Sequence, residues 1–160
     1  MAERSSPRTA ARLIGWPKTS GDQHPLDDAS QNPSYIYLGW EEALALFAEI
    51  KGLPLAAAAH ELRDEGRLQS AMARPQHAAR YANADLAEQA ATLLWGIAEN
   101  QPFIDGNKRT ALVVTLTFLE LNGYTVELSQ DEIVDLMFEI AAGLGVKDVA
   151  ERLRNRLRSV

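Results

Sequence analysis

The sequence predicts an all-α domain, and three observations carry that prediction. The stretch from Ala111 to Leu121 is apolar on almost every side, the pattern of a helix buried at the centre of a bundle. Other segments repeat their apolar residues at helical spacing, among them Ala43, Leu46, Phe47 and Ile50, then Ala90, Leu93, Leu94 and Ile97. Strand-like text is confined to "YIYL" (35–38) and "YTVEL" (124–128), which suffice for a minimal two-stranded sheet at most.

A chain of 160 residues can bury one good core and is short for two, so one domain is expected. Its 46% hydrophobic and 24% charged residues are ordinary globular composition. The formal net charge of -6 means that a phosphate backbone would be repelled by the protein as a whole, so direct nucleic-acid binding is not expected. With no cysteine, disulfides, thiolate metal sites and cysteine nucleophiles are excluded. No apolar run approaches the roughly 18 residues of a membrane span, and the N-terminus has no apolar signal core, so a cytoplasmic setting is the expectation.

In order along the chain, residues 1–34 are rich in Ser, Pro, Asp, Gln and Asn and read as a flexible arm, with Leu13, Ile14 and Trp16 able to dock. The domain proper is expected over 35–160. "YIYL" is a candidate strand, followed by a helix in "GWEEALALFAEIKG" that Gly52 and Pro54 stop. From Leu55 to Pro75 an alanine-rich run broken by Gly66 and Pro75 predicts a helix, a turn and a second short helix, with a loop continuing through Tyr81. "ANADLAEQAATLLWGIAEN" predicts a helix started near Asn83 or Asp85.

The buried helix follows, with Gly123 as its C-terminal cap. "YTVEL" is expected to pair with "YIYL". Ser129 and Glu132 form a capping box for a helix carrying Ile133, Leu136, Met137 and Ile140. A last helix bears the stripe Val146, Val149, Leu153 and Leu157, with Arg152, Arg154, Arg156 and Arg158 read as a solvated face near a helix C-terminus.

The chemistry lies in "AENQPFIDGNKRTAL" (98–112), where one helix ends near Asn100 and the buried one starts near Asn107. This loop brings Gly106, Asn107, Lys108 and Arg109 to a helix N-terminus, whose unpaired amides and positive dipole end favour an anion. Glycine permits close approach, and an arginine can grip two phosphate oxygens at once. Asp105 beside these cations suits a Mg²⁺ bridging phosphates, which commonly takes one or two carboxylates plus ligand oxygens. The plain alternative is a surface turn in which Asp105 caps the helix and pairs with Lys108 or Arg109. Pro102 and Phe103 read as structural, the proline fixing the turn and the ring anchoring the loop.

This segment closely resembles the signature of the Fic/Doc family, His-x-Phe-x-Asp/Glu-Gly/Ala-Asn-Gly/Lys-Arg between two central helices. The lysine form at Lys108, "RDEGRLQSAMARPQ" upstream and "TALVVTLTFLELNGY" downstream resemble the Doc branch, the death-on-curing toxins. The similarity runs from about Tyr35 to Leu153. It implies a helical Fic/Doc-like bundle that uses ATP and Mg²⁺ to modify a protein hydroxyl. Most Fic enzymes transfer an adenylyl group, whereas Doc-type toxins phosphorylate elongation factor Tu and stop translation.

By that resemblance Asp105 would hold Mg²⁺ and Gly106, Asn107 and Lys108 would form the anion pocket. Arg109 would neutralise charge in phosphoryl transfer. A small antitoxin acting in trans is the implied partner, since no internal Ser/Thr-x-x-x-Glu-Gly/Asn inhibitory pattern is present. Arg63, Asp64, Glu65 and His77 would lie at a target-docking edge, for which the plain alternative is a charged turn.

One position departs from the pattern: the family's general-base histidine falls at Gln101. An amide can orient a hydroxyl but cannot take its proton near neutrality. Transfer is therefore expected to be lost or strongly weakened. His60 or His77 on the upstream segment could substitute only by reaching the site; His24 lies in the arm, and Glu99 reads as a solvated helix residue. The alternatives are a pseudoenzyme that binds nucleotide or protein, and a Fic-type transferase that adenylylates or uses an already ionised acceptor.

Overall fold

The computed structural model describes residues 34–160, so the arm with Leu13, Ile14, Trp16 and His24 lies outside the described residues. Seven helices follow one another: α1 (Trp40–Lys51), α2 (Leu55–His60), α3 (Glu65–Ala82), α4 (Leu86–Asn100), α5 (Asn107–Leu121), α6 (Gln130–Ala141) and α7 (Val146–Arg156). Two three-residue strands, β1 (Tyr124–Val126) and β2 (Leu157–Ser159), complete the described elements. No helix among the described residues is long and apolar enough to cross a membrane.

Helix α4 is the hub, packed most extensively against α3, α7 and α5. It buries residues on every side, including Leu93, Leu94, Ile97 and the fully buried Gln89. Gln89 is tolerated there because its amide donates to the Ala84 carbonyl at 3.0 Å and accepts from the Tyr37 hydroxyl at 2.7 Å. Gly96 lets α3 come close: a Cβ there would sit 3.0 Å from Arg74 Cδ and 3.6 Å from Ala71 Cβ. Helix α5 is buried or half-buried throughout 110–121, as its all-round apolar text predicts. It ends at Leu121 with Asn122 as its C-cap, and Gly123, expected as the cap, follows one residue further at φ +86°.

Several sequence expectations are corrected. Residues 35–38 are not a strand; the Asn122 side chain takes both backbone groups of Ile36, accepting its N–H at 2.8 Å and donating to its carbonyl at 3.0 Å. With its hydrogen-bonding groups satisfied by an amide, this segment needs no ladder. Its place beside β1 is taken by β2, antiparallel with Tyr124 opposite Ser159 and Val126 opposite Leu157. Leu157 accordingly leaves the helical stripe for the sheet.

Helix α3 also runs straight through Pro75 to Ala82, where a break and a loop were expected. Proline lacks only one amide, and here the ring is buried rather than pushed out. Gly66 falls in the first turn, where a loose backbone costs little, and Asp64 caps that turn by accepting from Arg67 N at 3.1 Å. At α4, Asp85 forms a capping box with Glu88. The box expected at Ser129 and Glu132 is present on α6.

The arginines of α7 and β2 are half-exposed, yet each is paired across to another element. Arg152 pairs with Glu139, Arg154 with Asp85 and Glu88, Arg156 with Glu132 and Arg158 with Glu127. They tie the C-terminal segment to α4, α6 and the end of β1 instead of forming a free face. Glu132 accepts from its Ser129 backbone amide and from Arg156, and both hold its carboxyl below the ordinary 4.5 of a glutamate. A depressed carboxylate stabilises the fold above its unfolded pKa, and that contribution is lost as pH falls through the folded value. Urea unfolding of the wild type and Glu132→Gln should therefore show a stability gap at pH 7 that closes below about pH 4.5. A gap unchanged at pH 3 would contradict the assignment.

Candidate functional site

The loop 101–106 is built on an aromatic pair. Phe103 is fully buried, and its ring stacks on Phe47 of α1 with centroids 3.9 Å apart and planes 6° from parallel. Asn107 then closes the loop with its side chain, accepting from Phe103 N and donating to Phe103 O, both at 2.9 Å. That amide is thus committed to loop geometry, and only its backbone N–H faces the anion role expected of this residue. Thr110 donates its hydroxyl to Gly106 O at 2.7 Å, fixing the first turn of α5.

Gly106 is the N-cap of α5 at φ +81° with no side-chain cap. A side chain would be strained there, and its Cβ would come 3.0 Å from Lys51 Cε. The first turn of α5 carries no acidic residue, while Lys108 and Arg109 are exposed on it. Two cations at the positive end of a helix are unfavourable by themselves and favourable once an anion binds. Lys108 Nζ lies 5.7 Å from the ring centroid of Phe138, a 66% exposed residue of α6.

Asp105 is exposed, but its partner is neither Lys108 nor Arg109. Lys51, at the C-terminus of α1, approaches its Oδ2 to 2.9 Å. The hydrogen bond from Lys51 and then that from the Gly106 backbone hold the Asp105 carboxyl below the usual carboxylate range. Lys51 is the residue of this site that the sequence reading missed. Among the described residues no group of three or more His, Asp or Glu could cage a metal, so one carboxylate plus ligand phosphates is the donor set on offer. That set fits Mg²⁺ better than a metal needing an all-protein cage.

Gln101 closes α4 as its C-cap in the left-handed region, φ 46° and ψ 59°, with its N–H donating to Ile97 O at 3.2 Å. Its side chain is exposed at the mouth of the loop. The upstream segment docks directly on this loop: Arg63 N and Asp64 N both donate to Pro102 O, at 2.7 and 3.2 Å, and Ile104 N donates to Glu61 O at 2.9 Å. Leu62 and Phe103 form an isolated antiparallel bridge. Arg63 is therefore brought beside the loop, while the Asp64 side chain is occupied as a helix cap.

His77 lies elsewhere, exposed near the far end of α3 and edge-on to Tyr81 at 6.0 Å. Helix α3 meets the loop end of α4 through Arg67, which donates to Asn100 O at 3.3 Å, and His77 is ten residues further, about 15 Å along the axis. His60 ends α2 next to Glu61 and is exposed. Glu99 is exposed, as expected.

The Fic/DOC family profile matches residues 41–119, which hold α1 through most of α5 and the whole loop. The chain is also 39% identical over 95 residues to "Protein kinase doc" of Escherichia phage P1, covering 58% of this chain and 75% of that protein. The chain belongs to the Fic/DOC family. A second family member, "Toxin Doc" of Mycolicibacterium smegmatis, is 41% identical over 85 residues, spanning 51% of this chain and 65% of that relative. Gln101 and the loop that follows it lie within the matched residues.

Proposed function

We propose that this protein is a Doc-like toxin of a toxin–antitoxin pair, a nucleotide-dependent protein phosphotransferase whose transfer step is strongly weakened at Gln101. The carrying observation is the loop itself: an uncapped helix N-terminus with Gly106 at its turn, Lys108 and Arg109 on its first turn, and Asp105 open beside them. The two relatives' names, a toxin and a protein kinase, support the same class.

Amides of the first turn of α5, with Lys108 and Arg109, would bind the ATP phosphates. Asp105 would hold Mg²⁺, which supplies charge neutralisation between the phosphates when bound. The exposed Gln101 would orient the acceptor hydroxyl without removing its proton. The acceptor is proposed to be elongation factor Tu, and the regulator a small antitoxin in trans, both in the cytoplasm.

Two measurements test this. Arg109→Ala should weaken Mg-ATP binding about 10- to 100-fold by calorimetry, the worth of a charged hydrogen-bonding group; unchanged affinity would remove the phosphate-binding reading. Transfer from γ-labelled ATP to elongation factor Tu should appear strongly in Gln101→His and faintly at most in the wild type. Intact nucleotide binding with no transfer in either protein would leave a nucleotide-binding module rather than a kinase.

A further inference from the structure

Lys51 has no role in the site as read so far, yet it is the best-braced cation there. Its ammonium is 2.9 Å from Asp105 Oδ2, and its side chain is 25% exposed against 83% for Asp105. The stem lies against Gly106, where any Cβ would meet Lys51 Cε at 3.0 Å, and the ammonium sits 5.9 Å from the centroid of the buried Phe47 ring. It is also the last residue of α1, where the negative end of the helix dipole favours a cation. The lysine is therefore held in position by packing, while the carboxylate is the partner open to solvent.

We propose that Lys51 acts as a built-in cation that competes with the divalent metal for Asp105, so that metal loading is an exchange of ammonium for metal. This rests on the reading of Asp105 as the metal-binding residue and goes beyond it by naming what the metal must displace. A carboxylate neutralised by a fixed ammonium attracts a divalent ion poorly, since the two cations repel across a few ångströms. Incoming phosphates change the balance. They offer Lys51 a new anionic partner within reach of Gly106 and return Asp105 to the metal. Lys51 is thus a positioning residue that couples metal binding to phosphate binding.

The test uses Mn²⁺ as the probe, titrated by electron paramagnetic resonance into the full chain without nucleotide and then with ADP. Lys51→Met keeps the methylene packing and removes the charge, and Lys51→Gln serves as a second variant should the methionine form fail to fold. Either should bind Mn²⁺ about tenfold more tightly than wild type without nucleotide, with the gap narrowing when ADP is present. Lys51→Arg should restore wild-type affinity. If the neutral variants bind Mn²⁺ no more tightly than wild type, while Asp105→Asn abolishes binding, the exchange is wrong and the Asp105 reading stands. If Asp105→Asn leaves Mn²⁺ binding unchanged in both backgrounds, the metal reading falls and the exchange with it.

Discussion

Replacing Gln101 by histidine is expected to raise phosphoryl transfer by about 10²- to 10⁴-fold, the usual contribution of a positioned general base. The backbone is ready for the change. Gln101 lies at φ 46°, a left-handed conformation in which histidine, with asparagine and aspartate, is enriched among non-glycine residues. The side chain is exposed at the end of α4, so the imidazole displaces no core group. What the amide lacks is a basic nitrogen near neutral pH, and histidine supplies one. Because the gain comes from proton removal, kcat should rise with pH through the imidazole pKa, whereas the wild type should show no such limb. A variant that binds nucleotide normally and gains no transfer would show that the missing base is not what limits this protein.

Truncating Phe103 to alanine should cost about 3–5 kcal/mol, the range for emptying a fully buried aromatic site. Against a total stability of about 5–15 kcal/mol for a domain, that is a large share. The ring is 0% exposed and stacked on Phe47, so its removal leaves a cavity between α1 and the loop. The same residue gives both backbone groups to the Asn107 side chain, so loop shape and core packing fail together. Urea unfolding should show the midpoint falling with the slope retained. A midpoint unchanged would mean that the loop is not anchored through this ring.

The helices legible in the text are those with uninterrupted apolar periodicity. Helices α1, α4, α5 and α6 stand where spacing and the Ser129–Glu132 box put them, because burial follows a 3.6-residue period that sequence displays directly. The loop was legible for another reason: Asp105, Gly106, Lys108 and Arg109 are consecutive or nearly so, and their chemistry is local.

Breakers misled where tertiary packing overrode them. Pro75 sits buried within α3, held by the contact of that helix with α4, and a single lost amide does not outweigh a helix face already packed. "YIYL" has strand composition, but Asn122, 86 residues from Ile36, satisfies its backbone first.

By itself the sequence determined the all-helical class, the order of its main helices and the family to which its signature loop points, since each is written in neighbouring residues. Tertiary structure alone decided that β2 pairs with β1, that the arginines of α7 find acids on α4 and α6, and that Lys51 rather than Lys108 or Arg109 faces Asp105. Those pairings join residues far apart in the chain, and their geometry exists only once the core around Phe47, Phe103 and Leu94 has fixed the helices against one another.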